Sequence, residues 1–353
     1  MIVVAKIGTS SLTDAEGAIR REAIARLCGE VAALRTDGHA VVVVTSGAIG
    51  AGLPALGLGG DRRPRDAITL QALSAVGQSR LMSVYDEELA SHGIVSGQVL
   101  LAPLDFVVRS QYLQARGTLL RLLELGVVPV VNENDAIADD EIRFGDNDRL
   151  SALVAQLIGA DLLVLLTDTP GLLTADPRVD PGATLIEEIV EFDKELEAVA
   201  GGPGTAGGSG GMASKLAAAK IAAWSGIRTV IAAATRERVL LDAVAGLPGV
   251  GTSVSPHDRR LPARKLWIAF AVRAAGRLRV DQGARRAIER GGVSLLAAGL
   301  VGVEGEFDRD DAVEIIDVDG VVFAKGLVRF ASSEGTPDGS AVLVHADDLV
   351  VLT

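Results

Sequence analysis

Six strand-length apolar runs recur through the first 255 residues of this 353-residue chain. They are Ile2–Ala5, Ala40–Val44, Ile94–Leu101, Val127–Val131, Leu162–Leu166 and Thr229–Ala232. Helical, Ala- and Leu-rich stretches separate them, among them Arg20–Arg35, Leu70–Ala90, Tyr112–Leu125, Arg149–Ile158 and Ala213–Trp224. A strand that is apolar throughout must be covered on both faces. The pattern therefore predicts an α/β fold, a mainly parallel sheet with helices on either side. Ligands of such sheets collect at the carboxyl ends of the strands, so the residues just after each run carry the functional information.

The first run leads directly into Lys6, and the strand then breaks at Gly8-Thr9-Ser10. A lysine within a buried strand is costly unless an anion meets it. The adjoining turn offers backbone N–H groups and two hydroxyls. On these residues alone, a phosphate wall and an edge strand with a solvated lysine remain alternatives. The other strand ends are similar in kind. Thr45-Ser46-Gly47-Ala48-Ile49-Gly50-Ala51-Gly52 comes after the second run, and Asn132-Glu133-Asn134-Asp135 after the fourth. Phe144-Gly145-Asp146-Asn147-Asp148 comes next, and Thr167-Asp168 after the fifth run. Any one of these is ordinary turn chemistry. Together on one sheet edge they point to a shared site.

Gly201–Gly211 holds seven glycines in eleven positions and runs into Met212-Ala213-Ser214-Lys215 at a helix start. A flexible linker does not normally end in that way. Gly208-Ser209-Gly210 with Ala213 spells a dinucleotide fingerprint, but no strand immediately precedes it and no acidic residue stands about 20 positions on. A P-loop fails because Lys215 comes after Ser214 rather than glycine. The remaining reading is a glycine-rich lid whose amides and helix N-terminus can hold phosphate oxygens, with Lys215 in the first turn.

Asp135, Asp146 and Asp148 read as a metal site, a lysine-organising site or solvated turn residues, and without His or Cys nearby they do not suit zinc. His39, His92, His257 and His345 are scattered and read as surface or structural. Cys28 lies in a helical stretch and reads as a packed residue; a single cysteine excludes an internal disulfide and fits a reducing cytosol. No apolar run reaches the ~18 residues of a membrane span and no signal peptide is visible, so a cytoplasmic protein without membrane contact is expected. A net charge of −12 argues against a general nucleic-acid binder. The inventory of two lysines, glycine-rich backbone, hydroxyls and carboxylates, with no histidine base, suits phosphoryl transfer. It suits a carboxylate acceptor especially. A carboxylate, with an ordinary pKa of about 4.3 in a Glu side chain, is already ionised at neutral pH and needs cations rather than a base.

Beyond Gly251–Arg264, which reads as a linker, the pattern changes to short strands at Arg277–Val280, Leu295–Leu296, Ala312–Val318, Val321–Ala324 and Ala341–Val344. That predicts a small, mainly β domain.

Ala5–Ser10, Val44–Gly52, Ala75–Arg80, Asn132–Asp135, Gly145–Asp148, Leu165–Asp168, Thr174–Arg178 and Gly210–Lys215 occur in one order. In that order they resemble the amino acid kinase family, and within it the members that phosphorylate glutamate. The resemblance implies a three-layer αβα sandwich over 1–255, a linker over 256–263 and a β-rich PUA domain over 264–353. It implies conversion of ATP and L-glutamate to L-glutamyl 5-phosphate and ADP with Mg²⁺, the first step of proline synthesis, with proline as feedback inhibitor and a homo-oligomeric assembly. Lys6, Asp148 and Lys215 would be catalytic, the lysines stabilising the moving phosphoryl group and Asp148 organising them. Lys6, Gly8, Thr9, Ser10, Thr167, Asp168, Ser209, Gly210, Gly211, Met212, Ala213, Ser214 and Lys215 would hold ATP. Ser46, Asp135 and Asn147 would hold glutamate, with Asp135 the partner of its α-ammonium group. The chain departs from the family at Leu173, where tyrosine is usual, and conservatively at Ser209, Ala213 and Ser214. PUA domains elsewhere bind RNA, but Leu261–Thr353 carries 11 Lys and Arg against 14 Asp and Glu. A regulatory or assembly role, without strong RNA affinity, is expected there.

Overall fold

The computed structural model describes residues 1–14, 16–58, 64–106, 108–137, 147–175, 180–192, 196, 199–201, 211–257, 261–272, 274–335 and 337–352. They divide into two units, Met1–Arg260 and Leu261–Thr353.

The first unit is built on an eight-stranded sheet. Its strands are β1 (Ile2–Ile7), β2 (Ala40–Val44), β3 (Ser96–Leu101), β4 (Val128–Glu133), β5 (Leu162–Thr167), β6 (Glu188–Ile189), β7 (Arg228–Ala233) and β8 (Thr252–Val254). The order is β3-β4-β2-β1-β5-β7-β8-β6. All neighbours are parallel except β7 and β8. The helices are α1 (Thr9–Leu12), α2 (Arg21–Thr36), α3 (Ala48–Leu56), α4 (Ala67–Ser91), α5 (Arg109–Glu124), α6 (Asn147–Ile158), α7 (Met212–Trp224) and α8 (Val239–Ala245). The parallel sheet with helices on both faces, expected from the apolar runs, is present.

Strand pleating decides which chemistry reaches which face. On β1, Val3, Ala5 and Ile7 enter a core shared with α2, α4 and α8. The alternate residues Val4 and Lys6 face the other side, where α6 packs on β1 and α7 packs on α6. This period of two delivers the Lys6 side chain to helices that start more than 100 residues later.

Three local readings change. Gly8-Thr9-Ser10 is not an open turn: Gly8 is the N-cap of the one-turn helix α1. Ala48–Gly52 is not a loop but the start of α3, despite its glycines and Pro54. Thr252–Val254, within the stretch read as linker, is the strand β8. The case of α3 shows tertiary packing overriding helix propensity. A Cβ at Gly52 would stand 2.2 Å from the Leu73 carbonyl oxygen, and one at Gly77 would stand 1.8 Å from that of Ala48. Glycine lets the backbones of α3 and α4 approach more closely than any side chain permits.

In the second unit, β9 (Gly276–Val280), β10 (Leu295–Leu296), β11 (Leu300–Gly305), β12 (Ala312–Ile316), β13 (Val322–Val328) and β14 (Val342–Val351) form a sheet ordered β10-β14-β13-β12-β9-β11. Helices α9 (Ala263–Leu266) and α10 (Gln282–Arg290) belong to it. Its core includes Leu278, Ile315, Phe323 and Leu343, with Phe307 and Phe330 edge to face at 5.5 Å. The sequence reading missed β11, which is largely exposed, and α10, which buries only Ile288.

Gly77→Ala should destabilise the protein by about 1–3 kcal/mol in urea unfolding, because the backbones must separate. Gly29→Ala, inside α2 with nothing within 4 Å of the added methyl, should instead stabilise by about 0.5–1 kcal/mol. Equal effects of the two would contradict the close-packing account.

Candidate active site

Lys6 leaves β1, Asp148 lies in the first turn of α6, and Lys215 lies in the first turn of α7. Lys6 Nζ is 2.5 Å from Asp148 Oδ1, and Lys215 Nζ is 3.1 Å from Asp148 Oδ2. All three are buried: Lys6 is 3%, Asp148 0% and Lys215 5% exposed. Ser214 Oγ is 2.7 Å from Asp148 Oδ2 and 2.8 Å from the Gly211 carbonyl, so its one proton serves either acceptor. Burial pushes the Asp148 carboxyl up, but Lys6 and Lys215 outweigh it and hold the group below the usual carboxylate range. The carboxylate is therefore ionised at neutral pH and anchors two ammonium groups side by side.

The residues expected to face phosphate lie on the elements around this cluster. Gly8 is the residue whose added Cβ would lie 3.5 Å from Lys6 Nζ. Thr9 and Ser10, in the first turn of α1, are exposed. Ile7 pairs with Leu166 across β1 and β5, so Gly8 and Thr167 emerge from the same sheet edge. Thr167 Oγ1 donates to Asp168 Oδ1 at 3.1 Å. Gly211 caps α7. Ala213 is exposed, whereas Met212 turns its side chain into a small apolar cluster with Leu172, Leu216 and Val254. Ser209 and Gly210 lie outside the described residues. Leu173 forms a bridge with Leu185.

The expected glutamate residues form a second, amide-rich group. Asn147 Nδ2 is 2.6 Å from both the Thr45 carbonyl and Asn132 Oδ1, and 3.1 Å from Ser46 Oγ. Asp135 is held from α4, where Ser74 Oγ donates to its Oδ2 at 3.3 Å. Sequence reasoning missed the contribution of α4. Its buried stripe is Leu73, Ser74, Gly77, Gln78, Leu81, Val84, Tyr85 and Leu89. Ser74 reaches Asp135, Gln78 reaches Asn132, and Tyr85 OH meets Thr45 Oγ1 at 2.9 Å. Burial pushes the Tyr85 hydroxyl up, so it stays neutral. The available signal was polar residues at helical spacing inside an otherwise apolar stripe.

Other candidates take structural places. Cys28 is buried and its thiol is pushed up to about 12 by that burial, so it is no nucleophile at neutral pH. His257 stacks on Trp224 at 4.1 Å. Among the described residues, no group of three or more His, Cys, Asp and Glu could hold a metal ion, and no helix is long and apolar enough to cross a membrane.

Residues 1–233 match the amino acid kinase family. The chain belongs to the amino acid kinase family. Residues 276–335 also match the PUA domain. Curated relatives of this amino acid kinase include the glutamate 5-kinase of Pelobacter propionicus, 44% identical, with 99% of this chain and 97% of the relative covered. The glutamate 5-kinase of Burkholderia mallei is 45% identical with the same coverage. Among solved structures, an isopentenyl phosphate kinase is similar with a TM-score of 0.52 at 19% identity, covering 72% of this chain and 100% of that one. At that identity the likeness speaks for the amino acid kinase fold alone.

In this amino acid kinase, Asp148→Asn should cost about 3–5 kcal/mol at neutral pH, because two buried ammonium groups lose their shared anion. Such ammonium groups have lowered pKa values in the folded state, so the unfolded chain binds more protons and the deficit should shrink as pH rises. In the wild type the sign is the same but the window is acidic. Asp148's depressed pKa adds stability above about pH 4 that is lost as pH falls through the folded value. Urea unfolding across pH 7 to 9.5 checks the variant; a constant deficit would contradict the charge account.

Proposed function

We propose that this chain transfers the γ-phosphoryl group of ATP to the side-chain carboxylate of L-glutamate, forming L-glutamyl 5-phosphate and ADP. The observation that carries the reading is the buried pair of ammonium groups on Asp148, in a chain whose curated relatives at 44% and 45% identity bear the name glutamate 5-kinase. The transition state spreads charge over the equatorial oxygens of the moving phosphoryl group. Lys6 and Lys215 meet that charge from two sides, and Asp148 keeps both at fixed distance so that little reorganisation is needed. The acceptor arrives as an anion, so no proton has to be removed. The same cations offset its repulsion from the γ-phosphate.

The remaining roles belong to the same proposal. Gly8, Thr9 and Ser10 line the phosphate floor beside Lys6. Thr167, Asp168 and the Ser209–Lys215 segment hold the nucleotide. Ser46, Asp135 and Asn147 hold glutamate. Mg²⁺, when bound with ATP, would be held mainly by phosphate oxygens and would neutralise part of their charge. Residues 1–255 form the kinase domain, 256–263 the linker and 264–353 the accessory PUA domain. The enzyme is cytoplasmic, homo-oligomeric and inhibited by proline, with the accessory domain serving regulation or assembly rather than RNA binding.

An ATP-dependent hydroxamate assay with glutamate, aspartate and acetylglutamate should give product with glutamate alone. Activity only with another acceptor would overturn the substrate assignment. Lys215→Ala should lower kcat by at least ~10³-fold with the fold intact by circular dichroism, a loss typical of removing a transition-state charge partner. A rate that stays flat across millimolar proline would remove the feedback reading.

A further inference from the structure

Two buried amide atoms in the amino-acid half of the site have no hydrogen-bond partner among the described residues: Gln78 Nε2 and Asn147 Oδ1. Gln78 lies on α4, within the Ala75–Arg80 segment to which no role has been given, and is 6% exposed. Asn132, at 1% exposed, stands between the two side chains.

The amide polarities interlock. Asn132 Nδ2 donates to Gln78 Oε1 at 2.7 Å. Asn132 Oδ1 therefore faces away from Gln78, where it accepts from Glu133 N at 2.9 Å and from Asn147 Nδ2 at 2.6 Å. A flipped Asn132 would set its NH₂ group against two donors and its oxygen against an acceptor. With Asn132 fixed, Asn147 must turn its nitrogen toward it. That nitrogen is also satisfied by the Thr45 carbonyl at 2.6 Å. Among the described residues, the Asn147 carbonyl oxygen is left as a buried acceptor with nothing to accept. Such an orphan is unfavourable in the free protein and is resolved by a ligand that brings a donor.

We propose that Gln78 is a positioning residue for amino-acid recognition: it sets the amide polarity of Asn132, and through it of Asn147, so that Asn147 presents its oxygen to the α-ammonium group of the substrate. The inference rests on the reading of glutamate as acceptor and deepens it. An ammonium group carries several donors and one positive charge. Asp135, tethered by Ser74 from the same helix as Gln78, supplies the charged acceptor. Asn147 supplies the neutral one. Helix α4 thereby orients both halves of the α-ammonium site without contributing a charged group itself. The close glycine contact of α4 with α3 keeps that orientation rigid.

The test pairs a variant with a missing ligand group. Glutarate is glutamate without its α-ammonium group. Gln78→Met, similar in volume and without an acceptor oxygen, should raise the KM for glutamate roughly tenfold, as expected for a misplaced buried hydrogen bond. It should change the inhibition constant of glutarate less than about twofold and leave the KM for ATP unchanged, because neither ligand uses the oriented oxygen. Gln78→Glu keeps an oxygen facing Asn132 and should recover most of the loss. An equal shift for glutamate and glutarate, no shift for either, or a Glu variant as impaired as the Met variant would overturn the proposal. Failure of the wild type to phosphorylate glutamate would instead overturn the substrate reading and this inference with it.

Discussion

One carboxylate holds the proposed catalytic half of this structure together. Asp148 is buried completely and meets Lys6 and Lys215, which come from strand and helix positions more than 200 residues apart in the chain. Breaking such a pair strands charge in a low-dielectric interior. The sheet must therefore place β1 beside the start of α6, and α7 must return over the same face. The register of β1 does this in part. Its odd residues fill the core against α2, α4 and α8, so Lys6 is obliged to face the other layer. A one-residue slip would exchange the lysine for an apolar side chain.

The amino-acid half depends on a different constraint, the close approach of α3 and α4. That contact places Ser74, Gln78 and Tyr85 over the ends of β2 and β4. There they hold Asp135, Asn132 and Thr45. The two halves are physically distinct. One is organised by charge, with two ammonium groups fixed on one carboxylate. The other is organised by amide polarity, in which each hydrogen bond dictates the direction of the next. Asn147 and Asp148 are adjacent at the start of α6, so a single helix N-terminus joins charge to polarity.

Much of this was legible in the sequence because the signals were local. Uniformly apolar runs pointed to the parallel sheet, and Lys6 stood out as a charge at the end of the first of them. Ala48–Leu56 was not legible, since its glycines read as loop until the Leu73 carbonyl is seen 2.2 Å from where a Cβ at Gly52 would stand. The short strand β8 was also missed. It lies in a Gly- and Pro-containing stretch and is held by pairing with β6 and β7 rather than by its own pattern. Gln78 was legible only as part of a motif. Its meaning lies in Asn132, 54 positions away, and a direction of hydrogen bonding cannot be read from spacing.

The central claim is that Lys6 and Lys215 act as one unit on one phosphoryl group through their shared carboxylate. A double-mutant cycle on kcat with Lys6→Met, Lys215→Met and the pair measures that coupling directly. Residues that act as a unit are strongly non-additive, so the double variant should be about as impaired as the worse single variant. Losses that multiply, with the double variant slower by the product of the two single effects, would show that the lysines work independently and would contradict the account.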